Sequence, residues 1–197
     1  MVSEIYSRRS IRKYKSKMIP RQDIVDIIES GTKAPSSKNR QPWKYIVLQG
    51  KKKHEMLNVF RAGIAREETG SALLPQSRKY IDGARHTVEI LEQAPVVVFA
   101  VNPFGKGLIS GLTPEERIYD KCNIQSIGAS IQNMLLAAQE KGIGSLWVCD
   151  IYFAYPELCE WLNAGSELLA AVAFGYPDES PEGRPRKKLD DTIEWKE

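Results

Sequence analysis

Two groups of arginines stand near opposite ends of the chain: Arg8, Arg9 and Arg12 beside Lys13, and Arg184 and Arg186 beside Lys187 and Lys188. A guanidinium binds a phosphate dianion bidentately, and each charge-assisted bond contributes roughly 1.5–3 kcal/mol, so two or three converging arginines could anchor a phosphorylated cofactor. Taken one run at a time, the commoner role of such residues is a solvated basic surface. Basic arms on nucleic acid are a third reading, but that one needs aromatic or helical reading elements that the sequence does not offer. Between the two groups, Pro35-Ser36-Ser37-Lys38-Asn39 supplies two hydroxyls, an amide and backbone donors, a set able to bond a polyol chain or the edge of a heteroaromatic ring. By itself this is only loop composition.

Other chemistries lack their parts. No Gly-x-x-x-x-Gly-Lys-Ser/Thr sequence exists, and Gly142-Ile143-Gly144 follows a helical pattern and precedes a strand, with Trp147 where a dinucleotide fingerprint needs its third glycine. Phosphate recognition therefore falls to side-chain cations. The only histidines are His54 and His86, without zinc-hydrolase spacing or a Gly-x-Ser-x-Gly elbow. Cys122, Cys149 and Cys159 are odd in number and form no Cys-x-x-Cys pair, which argues against a disulfide framework and a structural zinc site. They read as reduced thiols in packed elements.

The elements that must position these groups can be followed along 197 residues, of which 42% are hydrophobic and 27% charged, enough for one domain with a sizeable core. A net charge of +3 is too small to force nucleic-acid binding. Mean hydropathy is −0.36, no apolar run nears the ~20 residues that span a bilayer, and the polar start is unlike a secretory signal, so the chain reads as cytoplasmic with no membrane partner.

After Ile19-Pro20 the apolar positions Ile24, Val25, Ile27 and Ile28 predict a helix that Gly31 would stop. The polar loop 34–43 leads into a strand at 44–48, and 51–68 reads as helical. Residues 69–93 are amphipathic without firm boundaries. The run 95–101 predicts a strand buried on both faces. The longest helical pattern, 115–141, places Ile124, Ile127, Ile131, Leu135 and Ala138 on one core stripe, and Gly142 ends it. Strands are predicted at 145–149 and 168–175, with a short helix at 156–162. Residues 177–197 cannot build a core of their own, yet Ile193 and Trp195 suggest a tail that docks.

In chain order, Arg-Arg-Ser-Ile-Arg-Lys-Tyr (8–14), Ala-Pro-Ser-Ser-Lys-Asn-Arg-Gln-Pro-Trp (34–43), Gly-Ile-Gly-Ser-Leu-Trp-Val (142–148) and Arg-Pro-Arg-Lys-Lys-Leu (184–189) resemble the FMN-dependent nitroreductase family, over nearly the whole chain. The resemblance implies one α+β nitroreductase-like domain over 1–197. It has a central mixed, mainly antiparallel sheet flanked by helices, and pairs as an intertwined homodimer with two FMN molecules in interfacial clefts. Residues 177–197 would dock on the partner subunit. Carried over residue by residue, Arg8, Arg9 and Ser10 would meet the phosphate and ribityl region. Arg12 would lie near the pyrimidine end of the ring, where a cation favours the anionic reduced flavin. Pro35, Ser36, Ser37 and Asn39 would come from the other subunit, and Arg184 and Arg186 would return from the tail to the phosphate. Trp147, Val148 and Cys149 would lie against the ring. Two departures stand out: Cys149-Asp150 replaces the commoner glycine pair, and Lys188 stands where the family often has proline.

The implied activity is hydride transfer from NADH or NADPH, through FMN, to an electron-poor small molecule such as a nitroaromatic, quinone or flavin, in a ping-pong order. The flavin would carry the hard chemistry, so the absence of a triad is no obstacle. Relatives also include dehalogenating and flavin-fragmenting enzymes, and a flavin-handling protein without rapid turnover is the alternative. Acceptor specificity is expected to depend on a lid and on the stretch from about Arg61 to Arg85.

Overall fold

The computed structural model describes residues 2–69, 71–108, 110–163 and 166–196. Its centre is a four-stranded sheet of β1 (Lys44–Leu48), β2 (Val96–Asn102), β3 (Gly144–Val148) and β4 (Glu167–Gly175), in the order β1-β2-β4-β3 with every neighbouring pair antiparallel. Side chains alternate across a strand. Val97, Phe99 and Val101 therefore enter one core, against α3 (Gly50–Glu68), α4 (Ile81–Gln93) and α6 (Tyr155–Leu162). Val96, Val98 and Ala100 enter the other, against α2 (Arg21–Thr32) and α5 (Pro114–Glu140). All seven residues of β2 and all nine of β4 are buried, which is why these strands are apolar runs rather than alternating ones.

Three local expectations need correction. Gly31 does not stop α2. A Cβ there would sit 2.7 Å from Met134 Cγ, and Ser130 Oγ donates to the Gly31 carbonyl at 2.6 Å, so this glycine serves the close approach of α2 to α5. Ile124 is 40% exposed and lies off the core stripe that Ile127 and Ile131 form. Cys149 is exposed rather than packed. The start of α5 is set by a capping box, in which Glu116 N donates to Thr113 Oγ1 and Thr113 N to Glu116 Oε2 at 2.9 Å. The stretch 69–93 resolves into a short 3-10 helix at Pro75–Tyr80 and then α4. Buried Glu67 holds the preceding loop by accepting from Leu73 N and Leu74 N, both at 2.9 Å.

The first residues, with α1 at Ser3–Ser7, run onto the free edge of β3. Ser10 bridges Ser145 in parallel, the one parallel pairing among the described residues, and Ile11 N donates to Ser145 O at 3.0 Å. Next, Tyr14 bridges Pro177, Lys15 N donates to Tyr176 O and Asp178 N to Lys13 O, each at 2.9 Å. Residues 10–15 thus lie between β3 and the start of the tail. Farther along the tail, Leu189 and Trp195 are exposed and cover no part of the same chain's core.

At the other end of the sheet, buried Asn102 donates to Glu167 Oε2 at 3.2 Å and to Asp120 Oδ1 at 3.4 Å, while its own Oδ1 accepts from Phe104 N at 3.1 Å. This cluster fixes the turn that leaves β2. Burial, and then the charge of Asp120, push the Glu167 carboxyl above the usual carboxylate range.

Two outcomes follow from this packing. A Cβ at Gly144 would lie 2.8 Å from Ile11 Cγ1, so Gly144→Ala forces Ile11 off the β3 edge and lowers the unfolding free energy by about 1–3 kcal/mol, measured by urea titration. An unchanged midpoint would refute the contact. The folded chain keeps the Glu167 proton above the pH at which the unfolded chain releases it. That contribution is complete below about pH 4.3 and is lost as pH rises through the raised value. Wild type should therefore lose stability relative to Glu167→Gln as pH rises above about 4.3, by at most about 1.4 kcal/mol per pH unit, in parallel unfolding titrations.

Candidate functional site

Bringing the chain ends together gathers the arginines. Arg8, Arg9, Ser10 and Arg12 form one wall of a cavity of about 600 Å³, and Gly183, Arg184 and Arg186 of the tail form the other, with Ile5, Tyr6, Pro181 and Glu182 at its margins. The approach is close at Gly183, where a Cβ would be 3.0 Å from Arg9 Nη2. Among the described residues none of the five guanidiniums forms an ion pair with a carboxylate. Their hydrogen bonds within the chain go to carbonyls: Arg9 Nη1 to Tyr6 O at 2.7 Å and Arg8 O at 2.9 Å, Arg12 Nη1 to Ser10 O at 3.3 Å, and Arg186 Nη1 to Arg184 O at 3.3 Å. The nearby carboxylate of Glu179 accepts from the backbone N–H groups of Arg12 and Lys13. Burial, and then the like charges of Arg186 and Arg9, pull the Arg8 guanidinium below its usual range. With Glu182 at the margin forming no ion pair with them, these guanidiniums keep their donors for an anion, and a phosphate dianion fits this donor set.

From Ser145, beside this cavity, β3 leads to Cys149. Four residues at roughly 3.3 Å each place Cys149 about 13 Å from Ser145, a span suited to an elongated nucleotide-like ligand. Trp147 is 37% exposed on the α5 side, where its ring passes Gly128, and is not a core residue. Val148 points into the opposite core and is buried, so it can offer a ligand only its backbone. Cys149 and Asp150 line a second cavity, of about 490 Å³, with Leu74, Tyr80, Tyr152 and Phe153. Thr87 Oγ1 donates to Asp150 Oδ2 at 2.5 Å, which fixes that carboxylate. Although the residue is exposed, partial desolvation of its sulfur against the cavity wall, and then the Asp150 charge, push the Cys149 thiol up, which disfavours the thiolate.

The loop candidates lie elsewhere in the chain. None of Pro35, Ser36, Ser37 and Asn39 lines the arginine cavity, and Ser37 instead borders a small recess beside Tyr119 and Cys122. Ser36 Oγ already accepts from Gln41 N at 2.9 Å, and Asn39 Oδ1 accepts from Gln41 Nε2 at 3.3 Å. Lys38, Asn39 and Gln41 have φ of +54°, +51° and +48°. Left-handed backbone costs a non-glycine residue about 1–2 kcal/mol, so beyond the loop's own bonds from Asn39 N to Ser36 O and Arg40 N to Ser37 O, contacts to the body help hold this shape. They are cation–π contacts: Lys38 Nζ lies 5.4 Å and Arg40 Cζ 5.0 Å from the ring centre of Tyr119, and Arg40 Cζ lies 5.3 Å from that of Phe104.

Arg40, Phe104 and Tyr119 are absent from the candidates that the sequence suggests. Their one signal is a pair of aromatic residues beside the amino-terminal turns of a helix, on a face the periodicity does not bury. Among the described residues no helix is long and apolar enough to cross a membrane.

Residues 5–176 match the model of the Nitroreductase family. The chain is 31% identical over 182 residues to a protein of Archaeoglobus fulgidus provisionally named an NADH dehydrogenase/NAD(P)H nitroreductase, covering 88% of this chain and 83% of that one. Its fold is similar to that of a nitroreductase-like family protein from Bacillus cereus, with a TM-score of 0.78 at 20% identity over 100% of this chain and 96% of the other. It is also similar to that of the FMN-dependent nitroreductase NfnB of Mycobacterium smegmatis, solved in complex with NADPH, with a TM-score of 0.74 at 20% identity over 98% and 96% of the two chains. With the family match spanning nearly every element of the sheet and its flanking helices, the chain belongs to the nitroreductase family.

Proposed function

We propose that this protein is an FMN-dependent oxidoreductase that takes hydride from NADH or NADPH and reduces an electron-poor acceptor, a nitroaromatic, quinone or flavin. The observation that carries this reading is the convergence of five guanidiniums from the two chain ends on one cavity, beside an edge strand of matching span. The names of the nitroreductases described above support the hydride donor.

Arg8, Arg9, Arg184 and Arg186 with the Ser10 hydroxyl would hold the phosphate, and Arg12 would lie toward the pyrimidine end. Trp147, the Val148 backbone and Cys149 would line the ring. Bound FMN supplies two-electron redox chemistry that none of these side chains offers. The chain's own work is to bind, orient and shield. The Trp147 indole gives the site an apolar wall, Thr87 keeps Asp150 from swinging toward it, and the Cys149 thiol, its thiolate disfavoured, is a weak competing nucleophile. Reduced nicotinamide and acceptor use one cleft in turn, giving ping-pong kinetics.

Two features support a homodimer as the working unit. The 35–39 loop does not reach the arginine cavity of its own chain. Exposed Ile5, Tyr6, Ile118, Ile124, Leu189, Ile193 and Trp195 leave apolar surface that a second copy would cover. In that pairing, Pro35, Ser36, Ser37 and Asn39 of one subunit serve the cofactor of the other, and residues 177–197 dock across the interface of the single FMN-binding domain.

Inorganic phosphate should raise the thermal midpoint of flavin-free protein. Arg8→Ala should remove most of that gain without lowering the midpoint in its absence, because the substitution relieves repulsion by Arg186 and Arg9. Equal phosphate responses would place the anion elsewhere. The purified holoprotein should show a flavin absorption band that NADH or NADPH bleaches without oxygen. Arg8→Ala or Arg12→Ala should each weaken FMN binding roughly 10- to 150-fold, the factor for one lost charge-assisted bond. No band, and none gained on adding FMN, would overturn the proposal. A band that neither nicotinamide bleaches would leave a flavin-handling protein.

A further inference from the structure

We propose that Tyr119 is a positioning residue for the cofactor: its ring is the shared electron-rich face that holds the 36–41 loop in the shape the site uses. The inference rests on the flavin reading above and adds to it a residue that neither the arginines nor β3 accounts for. Three of four consecutive loop residues, 38, 39 and 41, adopt left-handed backbone with no glycine among them. The bond from Gln41 N to Ser36 Oγ closes the loop on itself but does not tie it to the body.

The ties to the body run through cations. Lys38 and Arg40 both lie over the Tyr119 ring, and Arg40 also reaches Phe104. Neither cation has an ion-pair partner among the described residues, although Glu116 and Asp120 border the same recess as Arg40. Two like charges two residues apart would drive the loop open without a common electron-rich face between loop and helix. Tyr119 supplies that face one turn inside the capped start of α5, an anchored position. Phe104 is fixed in turn, because its N–H donates to Asn102 in the buried cluster at the sheet end. The clamp thus ties three segments, loop, helix and β2–α5 connection, at two aromatic rings.

The test uses the full chain with Tyr119→Leu, which keeps bulk and removes the π face, and Tyr119→Phe, which keeps the face and removes only the hydroxyl. In flavin-free protein, tryptic cleavage after Arg40, mapped by mass spectrometry, should be about 5- to 30-fold faster in Y119L than in wild type and within about twofold of wild type in Y119F, the ratio set by two exposed cation–π contacts. FMN affinity should fall by a similar factor in Y119L and recover in Y119F, with the visible circular dichroism of the bound flavin altered only in Y119L. Lys38→Met should weaken FMN binding in wild type and have no further effect in the Y119L background. Should Y119L fail to fold, K38M alone, a surface change, still decides between clamp and no clamp through its FMN affinity. Wild-type cleavage and FMN affinity in Y119L and K38M would overturn the clamp, as would a Y119F variant as impaired as Y119L. Wild type that binds no FMN would overturn the flavin reading and this inference together, whereas wild type that binds it beside indifferent variants overturns the clamp alone.

Discussion

Everything at the candidate site depends on holding several guanidiniums close together without carboxylates. Left to itself, such a cluster would disperse, because each cation is better solvated alone. The chain prevents this with backbone, through the bridge of Ser10 to β3, the bridge of Tyr14 to Pro177 and the paired hydrogen bonds around them. Backbone hydrogen bonds do not respond to the charge of the side chains they carry, so the repulsion stays in place as stored preference for an anion. Two carboxylates lie nearby: Glu179 is engaged by the N–H groups of Arg12 and Lys13 and helps close the two strands, and Glu182 borders the cavity without forming an ion pair among the described residues.

The sheet makes this possible by leaving β3 at its edge. Strands β2 and β4 are covered on both faces and on both sides, so they serve as the rigid centre. The free edge of β3 takes up residues 10 and 11, and its α5 face carries the half-exposed Trp147. One strand therefore links the arginine cavity to the cavity at Cys149 and Asp150. The loop at 36–41 is built differently, with left-handed backbone held by aromatic rings rather than by a sheet. It does not line the arginine cavity of its own chain.

Legibility differs by residue and for identifiable reasons. The two apolar runs at 95–101 and 168–175 announce buried strands, because a strand covered on both faces favours apolar residues at both parities, with the polar Asn102 and Glu167 confined to the strand ends. The helical pattern at 115–141 announces α5, whose start at Pro114 is set by a capping box of Thr113 and Glu116. Gly31 misleads, since a glycine that permits helix approach has the same composition as one that ends a helix, and only Met134 across the gap tells them apart. Ile124 misleads because a 27-residue helix sweeps past more than one neighbour, and the stripe that is buried at Ile131 has turned toward the surface by Ile124. Ser36 has the composition of a ligand donor, and its oxygen accepts from Gln41 N, which leaves the O–H as its donor.

By itself, the sequence determined what is local or compositional: strands from apolar runs, the long helix from its apolar period, the lack of any glycine fingerprint for a phosphate, and a family likeness carried by short ordered blocks. Only the tertiary structure decided that Arg8 and Arg186, 178 positions apart, share a cavity, that Val148 faces a core while Trp147 does not, and that Tyr119 sits beneath two cations of a distant loop. The reason is physical. Propensity and periodicity act between residues a few positions apart, whereas a binding site is made where segments remote in sequence are pressed together by the burial of surfaces that belong to other residues entirely.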